Sequence, residues 1–167
     1  MDHSEARRIF EDIRDRPYQV PTKMGEITPQ CFTKSRELVA ELTTIGYTAK
    51  TEIAEMDWYA SPIPNEIINL HPKDIPTTHF YPKILIDGQW RLIDPSIDPE
   101  LSTKGFKLVE FEGDPLSCFK LTKVYTPEEQ NEFMKQFNNQ EYLERYFKKV
   151  GPWLKAVHDW FNQIRRF

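Results

Sequence analysis

The chain is short of the features that most quickly assign a protein to a class. It has two cysteines in 167 residues, Cys31 and Cys118, and neither belongs to a C-x-x-C pair. They make no disulfide framework, and a structural zinc site lacks its ligand set. No apolar run is long enough to span a bilayer. The opening residues, MDHSEARRIFEDIRD, are charged throughout and lack the apolar stretch of a signal peptide, so the expected location is cytoplasmic, with no membrane partner. A net charge of −4 without a basic stripe argues against nucleic acid as the main partner. There is no internal repeat, heptad run or low-complexity segment. What remains is 29% charged and 39% apolar, an ordinary soluble composition in a chain of single-domain length, 1–167. Aromatic residues at 13% point to a bulky core or an aromatic-lined cleft.

The stretch TTHFYPKILIDGQWRLIDPSID, residues 77–98, organises the rest. Asp87-Gly88 is a two-residue hairpin signal, because both turn positions need positive φ. It sits between two β-rich runs, His79–Ile86 and Gln89–Asp94. With those two residues as the whole loop, Ile86 faces Gln89, Ile84 faces Arg91 and Tyr81 faces Asp94. Alternation then puts His79, Tyr81, Leu85, Trp90, Leu92 and Asp94 on one face, with His79 one diagonal from Asp94. Pro82 marks an edge or a bulge. A histidine and an aspartate on an apolar face either satisfy each other as a buried pair or serve as a base and its orienting acid.

TPQCFTKSRELVAELTTIGY is the clearest helix. Thr28 suits the N-cap, Pro29 the first helical position, and Gly46 the stop. Cys31 then falls in the first turn, on a stripe with Ser35, Leu38, Leu42 and Ile45, while Lys34, Arg36, Glu37 and Glu41 face solvent. Unpaired N–H groups and the helix dipole favour a thiolate there. A buried cysteine that merely packs is the competing account, and it is the account taken for Cys118.

Elsewhere, Ser4–Arg14 reads as an amphipathic helix and residues 47–58 as a strand beside the hairpin. Residues 59–76 carry four prolines and read as an irregular cleft wall or lid, with His71 a surface loop residue. Residues 105–111 and 119–124 read as strands. Thr126 and Glu129 form a capping box for a helix with Phe133 and Phe137 on its edge. Gly151-Pro152 divides a second helical run from a third, which carries an aromatic stripe of Trp153, Val157, Trp160, Phe161 and Ile164.

Gln30-Cys31 at a helix start, His79-Phe80-Tyr81 on a strand, and Ile86-Asp87-Gly88-Gln89-Trp90 leading to Asp94-Pro95-Ser96 stand in the order Cys, His, Asp. Over residues 28–98 this pattern resembles the transglutaminase-like superfamily of papain-like cysteine enzymes, including its DG-x-W-x-x-x-D-P hairpin. The resemblance implies an α+β, papain-like core: the nucleophile helix on an antiparallel sheet, and a helical extension over 126–167. It implies Cys31 as nucleophile, His79 as general acid/base and Asp94 as the residue orienting the imidazole. It further implies acyl transfer from an amide of a peptide or protein substrate through a thioester, with no metal or organic cofactor. Hydrolysis is the expected outcome. Transamidation to an amine and a non-catalytic binding module on the same fold are the alternatives. The chain departs from the animal transglutaminases in having no tryptophan before Cys31, so Gln30, Tyr18 and Trp90 stand as oxyanion or cleft candidates.

Overall fold

A computed structural model describes residues 3–113 and 116–166. The fold is α+β: a curled four-stranded antiparallel sheet with helices packed on it and a helical C-terminal part. Helix α1 (Ser4–Arg14) leads to α2 (Cys31–Thr44), then β1 (Ala49–Asp57), α3 (Asn65–Ile68), β2 (Thr78–Ile86) and β3 (Gln89–Leu92). Helix α4 (Pro99–Ser102), β4 (Lys120–Val124), α5 (Pro127–Phe137) and α6 (Gln140–Arg165) complete it. The sheet order is β3-β2-β1-β4, so the two hairpin strands lie together and β2 is interior.

The hairpin forms in the expected register, with Ile86 opposite Gln89 and Ile84 opposite Arg91, and Asp87 and Gly88 both at positive φ. Pro82 is neither at an edge strand nor at a bulge. It lies within β2, opposite Thr51 of β1. Its effect falls on β3. The Ile93 N–H reaches the Pro82 carbonyl at 3.0 Å, but Pro82 has no N–H to return, and the ladder stops at the Lys83–Leu92 pair. Asp94 therefore leaves the strand and enters a fully buried turn, Ile93–Asp98. The shared face is buried only at its His79–Tyr81 end. Leu85 and Leu92 are half-buried, and Trp90 is 44% exposed beyond them.

Three further expectations need correction. Residues 106–110 form no strand. Their buried side chains Phe106 and Val109 are three apart rather than alternating, and Phe106 packs on Trp160 and Phe161. This segment is a strap over the core, held by an Arg14 hydrogen bond to the Val109 carbonyl. Gly151-Pro152 does not divide two helices, since α6 runs through Pro152. An interior proline costs about 3 kcal/mol, but one continuous apolar stripe (Val150, Trp153, Leu154, Val157, Phe161) is buried across it and outweighs that penalty. The break falls instead at Asn138–Asn139, where Asn139 caps α6 through the Tyr142 N–H. Residues 59–76 are irregular apart from the end of a 3-10 turn (Trp58–Ala60) and α3, and they are tied to α6: His71 is half-buried, edge-on to Trp153 at 4.6 Å, and Asp74 pairs with Lys149 at 2.8 Å.

Candidate active site

The site is assembled from the start of α2, the start of β2, the turn after β3 and the segment before β4. Helix α2 starts two residues later than its Thr-Pro signal suggests. Gln30 is the N-cap, because the Thr33 hydroxyl accepts the Gln30 N–H at 3.0 Å. Thr28 is buried instead, with its hydroxyl unpartnered. Cys31 thereby becomes the first helical residue, where backbone N–H groups have no partner in the helix.

Lys34 is the largest departure from expectation within the helix. It is 1% exposed, and its ammonium donates to the carbonyls of Arg14 (2.8 Å), Arg16 (2.6 Å) and Ser96 (3.1 Å). Its position, three after Cys31, places it on the buried stripe with Ser35, Leu38 and Leu42. The C-terminal end of α1 with the two residues after it, and the 93–98 turn, leave carbonyls that need donors, and Lys34 supplies them. Burial lowers its pKa to about 8, against the opposing pull of Asp98, Cys118 and Asp94. One turn further on, the Ser35 hydroxyl donates to the Phe80 carbonyl at 3.0 Å, and Phe32 meets Phe80 edge to face. Two neighbours of Cys31 thus grip the neighbour of His79.

His79 and Asp94 have no solvent exposure and are joined Nε2 to Oδ2 at 2.7 Å. The imidazole lies between Tyr81, stacked at 6.1 Å, and Phe119, edge-on at 4.9 Å. Its Nδ1 is buried with no conventional hydrogen-bond partner, while the Cys31 side chain is one of the groups acting on the ring. Burial opposes the charged imidazole, but the Asp94 charge and hydrogen bond, then Cys31, outweigh it and raise His79 to about 10. The proton therefore resides on His79 at neutral pH.

Asp94 is held by four more hydrogen bonds. Oδ1 accepts from the Ser96 N–H (3.1 Å) and hydroxyl (2.6 Å), and Oδ2 accepts from the Ser117 hydroxyl (2.8 Å) and the Cys118 N–H (3.0 Å). Burial alone would raise this carboxyl. The His79 charge and these donors, chiefly Ser96 and Ser117, hold it well below the usual carboxylate range. Cys118 is buried, and burial followed by the Asp94 charge pushes its thiol well above the ordinary value, as inert packing requires. Its backbone N–H is what the site uses.

Of the oxyanion or cleft candidates, Tyr18 is at the site. It is 2% exposed, its N–H donates to Asp98 at 2.7 Å, and its ring packs on Phe161 and Phe119. Its hydroxyl interacts with the Cys31 side chain, and burial followed by the Cys31 and Asp94 charges pushes the phenol well above its ordinary range. Gln30 is adjacent to Cys31, half-buried at the helix cap. Trp90 is not at the site. It pairs with Leu85, six residues along β2 from His79, which is about 20 Å of strand. There its ring carries Lys50 at 4.7 Å.

Cys31 is 8% exposed. Tyr146 of α6 feels the Cys31 side chain and also lines an open cavity of about 610 Å³ between α5, α6 and Ile75-Pro76. Among the described residues no cluster of three histidine, cysteine, aspartate or glutamate side chains is arranged to hold a metal ion, and no helix is long and apolar enough to cross a membrane.

No family model, curated protein or solved structure matches the chain. The chemistry rests on the geometry alone. Sequence reasoning missed Lys34, Ser117 and the Cys118 N–H. Ser96 was within reach, since an aspartate followed two residues later by a serine N–H is an Asx turn. Ser117 and Cys118 carry no local signal, because they meet Asp94 only through the fold.

Proposed function

We propose that this chain is a cysteine-dependent acyl-transfer enzyme with a transglutaminase-like, papain-like core, acting on an amide of a peptide or protein. The observation that carries the reading is His79. One ring nitrogen is locked to a fivefold-bonded carboxylate, and the other is buried, unpaired and next to the side chain that opens α2. A merely structural histidine would have both nitrogens satisfied.

In the proposed reaction the Cys31 sulfur attacks the acyl carbon, forming a C–S bond and a tetrahedral oxyanion. The backbone N–H of Cys31 and the Tyr18 hydroxyl are the donors placed to stabilise that charge. His79 delivers its Nδ1 proton to the leaving nitrogen as the C–N bond breaks, which leaves a thioester and a free amine. Water then attacks the thioester while His79 takes its proton. The C–S bond breaks, releasing the acid and restoring the thiolate–imidazolium pair. Asp94 stays ionised throughout, fixes the ring orientation and stabilises imidazolium. Water is the proposed acceptor, and an amine in its place would give transamidation.

The burial of the pair favours a second reading, a module that keeps this fold without turnover. Intact-mass analysis after incubation with a peptidyl acyloxymethyl ketone separates the two. A single adduct on Cys31, abolished by His79→Ala, supports the enzyme. An adduct-free protein, or equal labelling of His79→Ala, removes it in favour of the module.

A further inference from the structure

A second groove, about 740 Å³ in volume, is lined by Phe119, which also meets the imidazole edge-on, and by Lys83, Trp90 and Leu92 of the hairpin. Its lining is unusual for a chain of net charge −4. It includes Lys83, Lys107 and Lys120, from three separate segments, and among the described residues no carboxylate. Lys107 has no ion-pair partner among the described residues. Lys83 and Lys120 make only long contacts, 3.9 Å to Glu52 and 3.5 Å to Asp57. The same groove gathers Trp90, Leu116 and Val124, three of the seven exposed large apolar side chains among the described residues (44%, 55% and 52%). Such clustering of exposed apolar surface marks a binding face. One border is β4, one of the two edge strands of the sheet, whose free edge can pair with an extended chain.

We infer that this groove docks an extended acidic peptide segment carrying an apolar or aromatic side chain between its carboxylates. Three lysines on separate segments match several spaced anions better than one compact anion. The apolar wall between them takes the side chain, and the β4 edge takes the backbone. Ser117-Cys118-Phe119, the segment that donates to Asp94 and meets His79, is part of the groove lining, so occupancy bears on the Asp94 cradle. The inference does not depend on thiol chemistry at Cys31.

The test is fluorescence anisotropy of a labelled peptide, EELFEE, titrated with the full chain at low and moderate salt. Binding is expected, weakened by raising NaCl from about 0.05 to 0.3 M as the Debye length shortens. At least tenfold weaker binding is expected for EEGGEE, and none for KKLFKK. Lys83→Glu/Lys107→Glu/Lys120→Glu and, separately, Trp90→Ala should each lose EELFEE about tenfold or more while circular dichroism is unchanged. Amide spectra of the complex should shift Cys118 and Phe119. No binding of EELFEE, equal binding of EEGGEE, or full affinity in the triple variant overturns the proposal. Cosedimentation with phosphatidylglycerol vesicles in the absence of peptide binding would assign the groove to a lipid surface and overturn it as well.

Discussion

Replacing Lys34 by methionine should damage this protein more than replacing any other charged residue on α2. The perturbation deletes three hydrogen bonds to the Arg14, Arg16 and Ser96 carbonyls inside a site that is 1% exposed. Each buried carbonyl left without a donor costs about 1–3 kcal/mol. Removing a charge that burial had disfavoured returns roughly 3 kcal/mol, the equivalent of the pKa displacement from 10.5 to about 8. At about 2 kcal/mol per carbonyl the net loss is about 3 kcal/mol, which in a chain of this length lowers Tm by roughly 6–12 °C. Urea titration and calorimetry read the loss, with Arg36→Met on the exposed side of α2 as a control expected within about 0.5 kcal/mol. Because Ser96 also holds Asp94, Lys34→Met should slow Cys31 alkylation even at temperatures well below its Tm. A variant as stable as wild type would refute the claim that Lys34 ties α2 to the Asp94 turn.

Three further outcomes are expected. His79 is raised to about 10 in the folded chain, so its stabilisation is complete below about 6.5 and is lost as pH climbs toward 10. Lys34 is lowered to about 8, so the folded chain holds fewer protons above that value and stability gains across roughly 8–10.5. Urea midpoints should therefore fall from about pH 6.5 to 8 and then level. In Lys34→Met the fall should continue to about pH 10, and parallel profiles for the two proteins would contradict this assignment. Ser117→Ala removes a donor to Asp94 and the acceptor of the Phe119 N–H, and urea titration should show a loss of about 1.5–3 kcal/mol. With an amide substrate in hand, Tyr18→Phe should lower kcat at least tenfold with KM little changed, whereas an unchanged rate would remove its hydroxyl from the oxyanion site.

Much of the site was legible in the residues, for reasons that can be named. A two-residue turn has one register, so Asp87-Gly88 settles the pairing as far as Lys83–Leu92, and the buried turn that follows, not the strand diagonal, carries Asp94 to His79. The first-turn position of Cys31 survived a two-residue error in the helix start, because Thr28 and Gln30 compete for the same cap. What was lost depended on tertiary contact. The charge on Lys34 read as solvent-facing although its spacing from Cys31 put it on the buried stripe. Only the fold brings the carbonyls that explain it. The strap at 106–110 has strand-like composition but no neighbour to pair with, and Pro152 was read by its local penalty without the apolar stripe that overrides it. Trp90 shares its alternating face with His79, but that face opens to solvent toward the turn, away from the site.

The proposed chemistry needs Cys31 and His79 to form a thiolate–imidazolium pair, and the pH dependence of iodoacetamide labelling reads that pair out. Intact mass and peptide mapping distinguish Cys31 from Cys118, whose raised thiol pKa and burial make it the internal control. Rapid carbamidomethylation of Cys31 at pH 6 and below is expected, slowed at least tenfold by His79→Ala, with Cys118 unlabelled throughout. Labelling of Cys31 that rises only near pH 8.5, as for an ordinary thiol, and is indifferent to His79→Ala would contradict it.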